Sequence, residues 1–146
     1  MEQAEFTNMC MILDGDNVLI QERPGPTWPG VAFPGGHVEH AEPFVDSVIR
    51  EVREETGLTI QDPVLRGVKN WFSEGRRYIV FLYEAHTFSG ALTSSDEGPV
   101  RWVPLSSLRS LPLASGMEDT LAFYESSSGS EIFYDASQDH WTMRVM

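Results

Sequence analysis

The sequence predicts an α/β or α+β domain in which a mixed β-sheet carries two helices. Three observations support that class. Short segments rich in Val, Ile, Leu, Tyr and Phe recur along the chain, bounded by Gly, Pro, Asn or Asp. One segment, PFVDSVIREVREETG, instead spaces its apolar residues for a helix. The length of 146 residues suits one domain, spanning 1–146, with one substantial core.

Taken in order, TNMCMIL (7–13) and NVLIQER (17–23) read as two strands around the turn DGD. PGPTWPG (24–30) is a Pro/Gly loop, and VAFPGG (31–36) a short extended piece ending in a turn. The helix covers 43–57, with Pro43 in its first turn and Gly57 at its end. Apolar stretches follow at 58–72 and 78–88; YIVFLYEA within the second has the composition and length of a strand. PVRWVPL (99–105) is a further strand and MEDTLAFYES (117–126) a second helix. SSSGS breaks that helix, and EIFYDASQDHWTMRV reads as a terminal hairpin around ASQD.

Composition narrows the function. With 22 acidic and 10 basic residues the formal net charge is −12. Such a surface repels long nucleic acid, whose phosphates need clustered Lys or Arg. It does not oppose a small anion held through a divalent metal. No apolar run approaches a membrane span. The opening MEQAEFTNMC lacks a signal-peptide pattern, so the expected location is cytoplasmic. The one cysteine, Cys10, lies in the apolar NMCMIL and reads as a buried, inert thiol.

The helix poses the sharpest question. Val45, Val48, Ile49 and Val52 form an apolar stripe expected to dock on the sheet. Glu51, Glu54 and Glu55 share an adjacent face, because residues three and four apart are neighbours. Like charges at that spacing cost about 0.2–0.5 kcal/mol per pair. The helix C-terminus disfavours anions further. Local stability therefore does not account for the arrangement. A divalent cation does: Mg²⁺ prefers hard oxygen ligands and binds carboxylates together with substrate phosphate. The preceding Gly35-Gly36 lets backbone approach closely enough for a carbonyl to join them.

Counting from Gly36, five residues lead to Glu42 and seven more to Arg50-Glu51-Val52-Arg53-Glu54-Glu55-Thr56-Gly57-Leu58. This resembles the Nudix box, G-x5-E-x7-R-E-U-x-E-E-x-G-U with U apolar, at every specified position. The entering segment VAFPGGHVE resembles that of the family's MutT-like branch, and the element order resembles the Nudix fold. The resemblance implies an α/β/α sandwich with the mixed sheet between helices, and hydrolysis of a nucleoside diphosphate linked to another group. It implies Mg²⁺, with Mn²⁺ able to substitute, held by the Gly36 carbonyl, Glu51, Glu54, Glu55 and Glu97. Glu97 comes from SSDEGPV, where Asp96 is the alternative. Arg50 would orient Glu51, Glu42 would be structural, and Gly57 would end the helix. Glu54 is the first choice for general base and Glu97 the second.

On substrate, the MutT-like branch implies conversion of a nucleoside triphosphate to monophosphate and pyrophosphate, with oxidised purines such as 8-oxo-dGTP as candidates. Arg23 is the expected phosphate contact. Phe6, Asn8, Phe33, Phe72 and Tyr83 are candidates for a base pocket by strand position. Asn8 is the most informative, since an amide in an apolar strand needs partners. LASGMEDTLAF resembles the start of a family helix whose acidic pair, here Glu118 and Asp119, reads the base. The stacking tryptophan of that helix is missing; Gly116 stands near its place, and Trp28 or Met117 is the candidate replacement. The alternatives are another nucleotide conjugate (a nucleotide sugar, dinucleoside polyphosphate or capped RNA end) and a non-catalytic Nudix module. The latter is opposed by retention of every box glutamate. Monomer and homodimer both remain open.

Overall fold

Four consecutive residues, Met9-Cys10-Met11-Ile12, are buried without alternation, as expected of a strand covered on both faces. The computed structural model, which describes residues 1–136 and 141–146, bears this out. Its strands are β1 (Ala4–Asp14), β2 (Asn17–Arg23), β3 (Gly30–Ala32), β4 (Leu58–Gln61), β5 (Val64–Ser73), β6 (Arg76–Ala85), β7 (Thr87–Gly90), β8 (Val100–Pro104), β9 (Glu131–Asp135) and β10 (Thr142–Val145). Its α-helices are α1 (Phe44–Thr56) and α2 (Met117–Glu125), and a 3₁₀ turn covers Leu105–Ser110.

The main sheet runs β10-β9-β5-β6-β1-β2-β3, with β8 also on β2. It is mixed: β1–β6 and β5–β9 are parallel and the other pairs antiparallel. β4 and β7 form a separate antiparallel ribbon. The apolar stretch 58–72 therefore holds two strands, broken at Asp62, which takes a positive φ of 51°.

The period-2 geometry of β1 and β6 divides the apolar side chains between two layers. Met9, Met11, Val80 and Leu82 pack with Met117, Leu121, Phe123 and Tyr124 of α2. Cys10, Ile12, Tyr83 and Ala85 pack with Val48 and Val52 of α1. This is the α/β/α arrangement of the expected fold. Full burial of Val48 and Val52 stabilises the helix–sheet contact by about 1.5–3 kcal/mol each.

One part of the expected stripe is corrected. Val45 is 44% exposed, in the first turn of α1. Phe44 beside it leans on Phe81 and Phe6, with ring centroids 4.3 and 5.5 Å away. The stripe that docks is Val48 and Val52, with Ile49 packed at its margin. Pro43 caps α1 with extended backbone. Gly57 ends it in the left-handed region (φ 79°), its N–H donating to Arg53 O. A Cβ on Gly57 would also lie 2.5 Å from Ala91 O, so glycine is required twice over.

The terminal hairpin is present as β9 and β10; of its expected turn ASQD, residues 137–139 lie outside the described residues. Cys10 is fully buried and free, and burial pushes its thiol far above the usual range. Among the described residues no helix is long and apolar enough to cross a membrane.

Candidate active site

The double glycine lies between β1 and α1 and is fixed to both. Asn8 N–H donates to Gly36 O at 2.8 Å, and Gly36 N–H donates to Asn8 Oδ1 at 3.2 Å. Asn8 Nδ2 donates to Ser47 Oγ of α1 at 2.8 Å. Gly35 N–H donates to Glu55 Oε2 at 3.1 Å. Side chains have no room here. A Cβ on Gly35 would sit 2.0 Å from Asn8 O, and one on Gly36 2.4 Å from the Glu51 carboxylate.

Arg50 organises the acidic face. Its Nε and Nη2 donate to the two carboxylate oxygens of Glu42, at 2.7 and 3.0 Å. Nη1 donates to Glu51 Oε1 at 3.0 Å and to Glu54 Oε2 at 3.1 Å. Nη2 also reaches the His37 carbonyl at 3.0 Å. The planar fork thus ties the loop and three glutamates together, which a lysine's point charge could not do. The guanidinium holds the Glu42 carboxyl down at about 2.

Glu51 and Glu55 are pushed the other way. Burial is the first cause for both. For Glu51, Arg50 opposes the rise while Glu54 and Glu97 add to it. Glu55 is 2% exposed. Its carboxyl is pushed up to about 8 by burial, with Glu97 and Glu51 contributing and the Gly35 N–H opposing. Among the described residues its second oxygen, Oε1, is buried with no hydrogen-bond partner. Glu97 stands in the β7–β8 loop, its N–H on Ser95 Oγ at 3.2 Å. The loop is pressed against β2, since a Cβ on Gly98 would lie 2.0 Å from Glu22 O.

Among the described residues no three carboxylate, imidazole or thiol groups converge tightly enough to form a ready-made metal cage. The donor chemistry nevertheless fits a divalent cation. The groups are hard oxygens, they repel one another, and the orphaned Glu55 Oε1 lacks a positive partner. Glu51, Glu55 and Glu97, with Gly36, could hold such an ion; Glu54 is the exposed member of the set, its side chain 57% accessible.

Beside the carboxylates opens a cavity of about 850 Å³. Gly35, Gly36, Glu51 and Glu97 line its acidic end, and Arg23, Asn8, Phe33 and Asp119 also line it. Trp28 forms part of the wall, held by its indole N–H on Ser115 O at 2.8 Å. The Arg23 guanidinium lies over that indole, 5.0 Å from the ring centroid.

Several expected site residues lie elsewhere. Glu118 faces outward and pairs with Arg109 at 2.9 Å, away from the cavity. Met117 is fully buried in the core, so Trp28 alone of the two offers a stacking face. Phe6 packs with Phe44 and Phe81, Phe72 is exposed, and Tyr83 is core; none lines this cavity. The Asn8 amide is engaged by Ser47 and Gly36, so it braces the glycine loop instead of presenting a free edge.

Sequence reasoning also missed residues. Lys69, Trp71, Tyr134 and Trp141 line the cavity. A signal for Lys69 was present: like Asn8 in β1, it is a polar residue set among apolar ones in the strand VLRGVKNWF. Trp71 and Tyr134 meet only through the parallel pairing of β5 with β9, which no local pattern announces.

Comparison with known proteins agrees with this geometry. Residues 6–124 match the model of the NUDIX domain. An uncharacterized Nudix hydrolase of Bacillus subtilis (strain 168), YvcI, is 36% identical over 135 residues, covering 88% of this chain and 84% of that protein. The crystal structure of the MutT protein from Bacillus halodurans superposes with a TM-score of 0.78 at 28% identity, covering 97% of each chain. A MutT NUDIX hydrolase from Burkholderia pseudomallei superposes with a TM-score of 0.72 at 26% identity, over 83% of this chain and 98% of that one.

Proposed function

The chain belongs to the NUDIX domain family, and from that premise we propose that it hydrolyses a nucleoside triphosphate to the monophosphate and pyrophosphate. Oxidised purine nucleotides are the candidate substrates within that class. One observation carries the reading: the acidic end and an aromatic wall belong to the same cavity. A phosphate chain placed against Glu51 and Glu97 leaves a base beside Trp28 and Trp71. A cavity of about 850 Å³ is in the range of small-molecule sites, roughly 300–1,000 Å³.

Nudix hydrolases generally use divalent metal ions. Here Glu51, Glu55, Glu97 and the Gly36 carbonyl would hold the ion, with Glu54 at the exposed side. When bound, it supplies positive charge to the phosphoryl oxygens and acidifies a coordinated water. The chain's own residues do the rest. Arg50 fixes the Glu51 and Glu54 carboxylates in place before substrate arrives, so no reorganisation is needed during reaction. Glu54 is tied to Arg50 through Oε2, which leaves Oε1 to accept the proton of the attacking water. Glu97, which lines the cavity, is the second candidate for that proton. Arg23 lies over the Trp28 indole, and to act as the phosphate contact it would swing from that ring toward the acidic end. Asn8 and Ser47 hold the Gly35-Gly36 loop at its distance from α1.

The test is a panel of nucleoside triphosphates with Mg²⁺, products identified by chromatography. Monophosphate and pyrophosphate are expected. Cleavage confined to nucleotide sugars or dinucleoside polyphosphates would replace this reading with the conjugate-hydrolase alternative. No turnover of any nucleotide would leave a binding module. Glu54→Gln is expected to lose at least about a hundredfold in kcat at saturating Mg²⁺; a kcat retained there moves the base to Glu97, whose own variant also weakens the metal site.

A further inference from the structure

The interior end of the cavity contains a charge that the hydrolytic machinery does not use. Lys69 sits in β5, between β6 and β9, and is 5% exposed. Its ammonium donates to Thr120 Oγ1 at 3.1 Å. That hydroxyl in turn donates to Gly116 O at 2.9 Å, which fixes its lone pairs toward the lysine. Among the described residues, no carboxylate comes within ion-pair distance of Nζ, though Asp119 acts on it from farther off. An ammonium has three donors, so two remain for the cavity that Lys69 lines.

Asp119 lines the same end. Its Oδ2 accepts from Tyr134 O–H at 3.1 Å. Among the described residues Oδ1 has no such donor, and it is left for a ligand. A buried ammonium with an unfilled donor set is costly in a core; an apolar residue would serve packing better. Burial pushes the Lys69 amine down to about 8, Asp119 opposing, so it still carries its proton near neutrality.

We infer that Lys69, set beside the Asp119 already expected at the base, decides which base edge the site takes, accepting a lactam edge, a ring C=O beside a ring N–H, and rejecting an amino edge. The inference rests on the nucleotide reading above and deepens it. On a lactam edge the carbonyl faces the Lys69 donors and the N–H faces Asp119 Oδ1. Guanine, hypoxanthine, uracil and thymine offer that order, and an 8-oxoguanine keeps it. Adenine and cytosine reverse it, setting an amino group against an ammonium and a ring nitrogen lone pair against a carboxylate. Both mismatches leave buried polar groups unpaired, the situation that gives strong discrimination.

The test measures binding of inosine and adenosine 5′-monophosphates by tryptophan fluorescence without metal, and turnover of the matching triphosphates with Mg²⁺. These two bases differ only at the edge in question. The wild-type chain is expected to favour the inosine nucleotide by about tenfold or more in both assays. Lys69→Met is expected to bring the ratio within about threefold while raising the melting temperature, because it removes a buried charge. Asp119→Asn, read the same way, covers the case in which Lys69→Met fails to fold. Equal affinity for the two nucleotides, no binding of either, or a ratio unchanged in both variants overturns the inference. A preserved binding ratio with no turnover of any triphosphate instead overturns the hydrolase reading and leaves this one standing.

Discussion

Glu55 gives the most demanding prediction, since it links the stability of the protein to pH and to metal. Its carboxyl is held at about 8 in the folded chain against 4.5 for a free side chain. Between those values the unfolded chain has released a proton that the folded chain retains. Stability of the metal-free protein must therefore fall as pH rises from about 4.5 toward about 8. The separation from 4.5 to about 8, at about 1.4 kcal/mol per tenfold change in proton activity, caps the loss at about 5 kcal/mol. Glu51 and Glu97 share the repulsion, so a loss of about 2 kcal/mol is expected, or roughly 6 °C in melting temperature for a chain of this size. The assay is thermal unfolding in chelator across pH 5–8, repeated with excess Mg²⁺ and with Glu55→Gln. Mg²⁺ should flatten the slope by supplying the charge that Oε1 lacks. Glu55→Gln should flatten it too, and be more stable than wild type near pH 8 without metal, since an amide keeps the Gly35 contact and carries no buried charge. A metal-free melting temperature that is level or rising over this range, or an unchanged slope in Glu55→Gln, refutes the reasoning.

Other perturbations separate the remaining parts. Arg50→Lys keeps the charge but loses the fork; kcat is expected to fall by about a hundredfold, read by steady-state kinetics, as Glu51 and Glu54 lose their common anchor. Trp28→Ala should raise KM by about tenfold with a smaller change in kcat, because on the proposed reading the wall it removes would contact the base and not the reacting phosphates. Gly98→Ala places a Cβ 2.0 Å from Glu22 O at a φ of 128° and should cost about 3 kcal/mol or more in urea unfolding while displacing Glu97. Gly75→Ala is its control: φ is 80° but the space is open, so only about 1 kcal/mol is expected.

The legible and illegible parts of the site divide along a physical line. The box residues lie within 23 positions, where helical spacing and a tight loop fix their relations, so Gly36, Arg50, Glu51, Glu54 and Glu55 were readable together. Their partners across the sheet were not. Phe33 and Asp119 fell in the cavity, while Glu118, next in the chain to Asp119, faces Arg109 because a helix turns about 100° per residue. Phe6 and Phe72 looked equivalent to Phe33 by composition, yet strand alternation and sheet position send them to other surfaces. Val45 failed for a similar reason: the first turn of α1 turns Phe44, not Val45, onto Phe81 and Phe6 of the sheet and leaves Val45 exposed. The elements themselves were mostly recovered, with β7 and the β4–β5 break depending on pairings between distant segments.

The parallel β1–β6 pairing joins residues such as Ala4 and Arg77, which are far apart in the chain. A contact of that span carries a large loop-closure cost and forms late relative to local turns and helices. Asn8 belongs to that pairing, opposite Phe81, and it is Asn8 that pins the glycine loop to α1. The acidic helix can therefore form early with its carboxylates still spread in water. Their burial beneath the glycine loop, which adds to the repulsion already present within the helix, needs β1 in place. An assembly that defers this part of the electrostatic cost until β1 pairs keeps it out of the early barrier, and refolding should accordingly be less sensitive to Mg²⁺ than unfolding is.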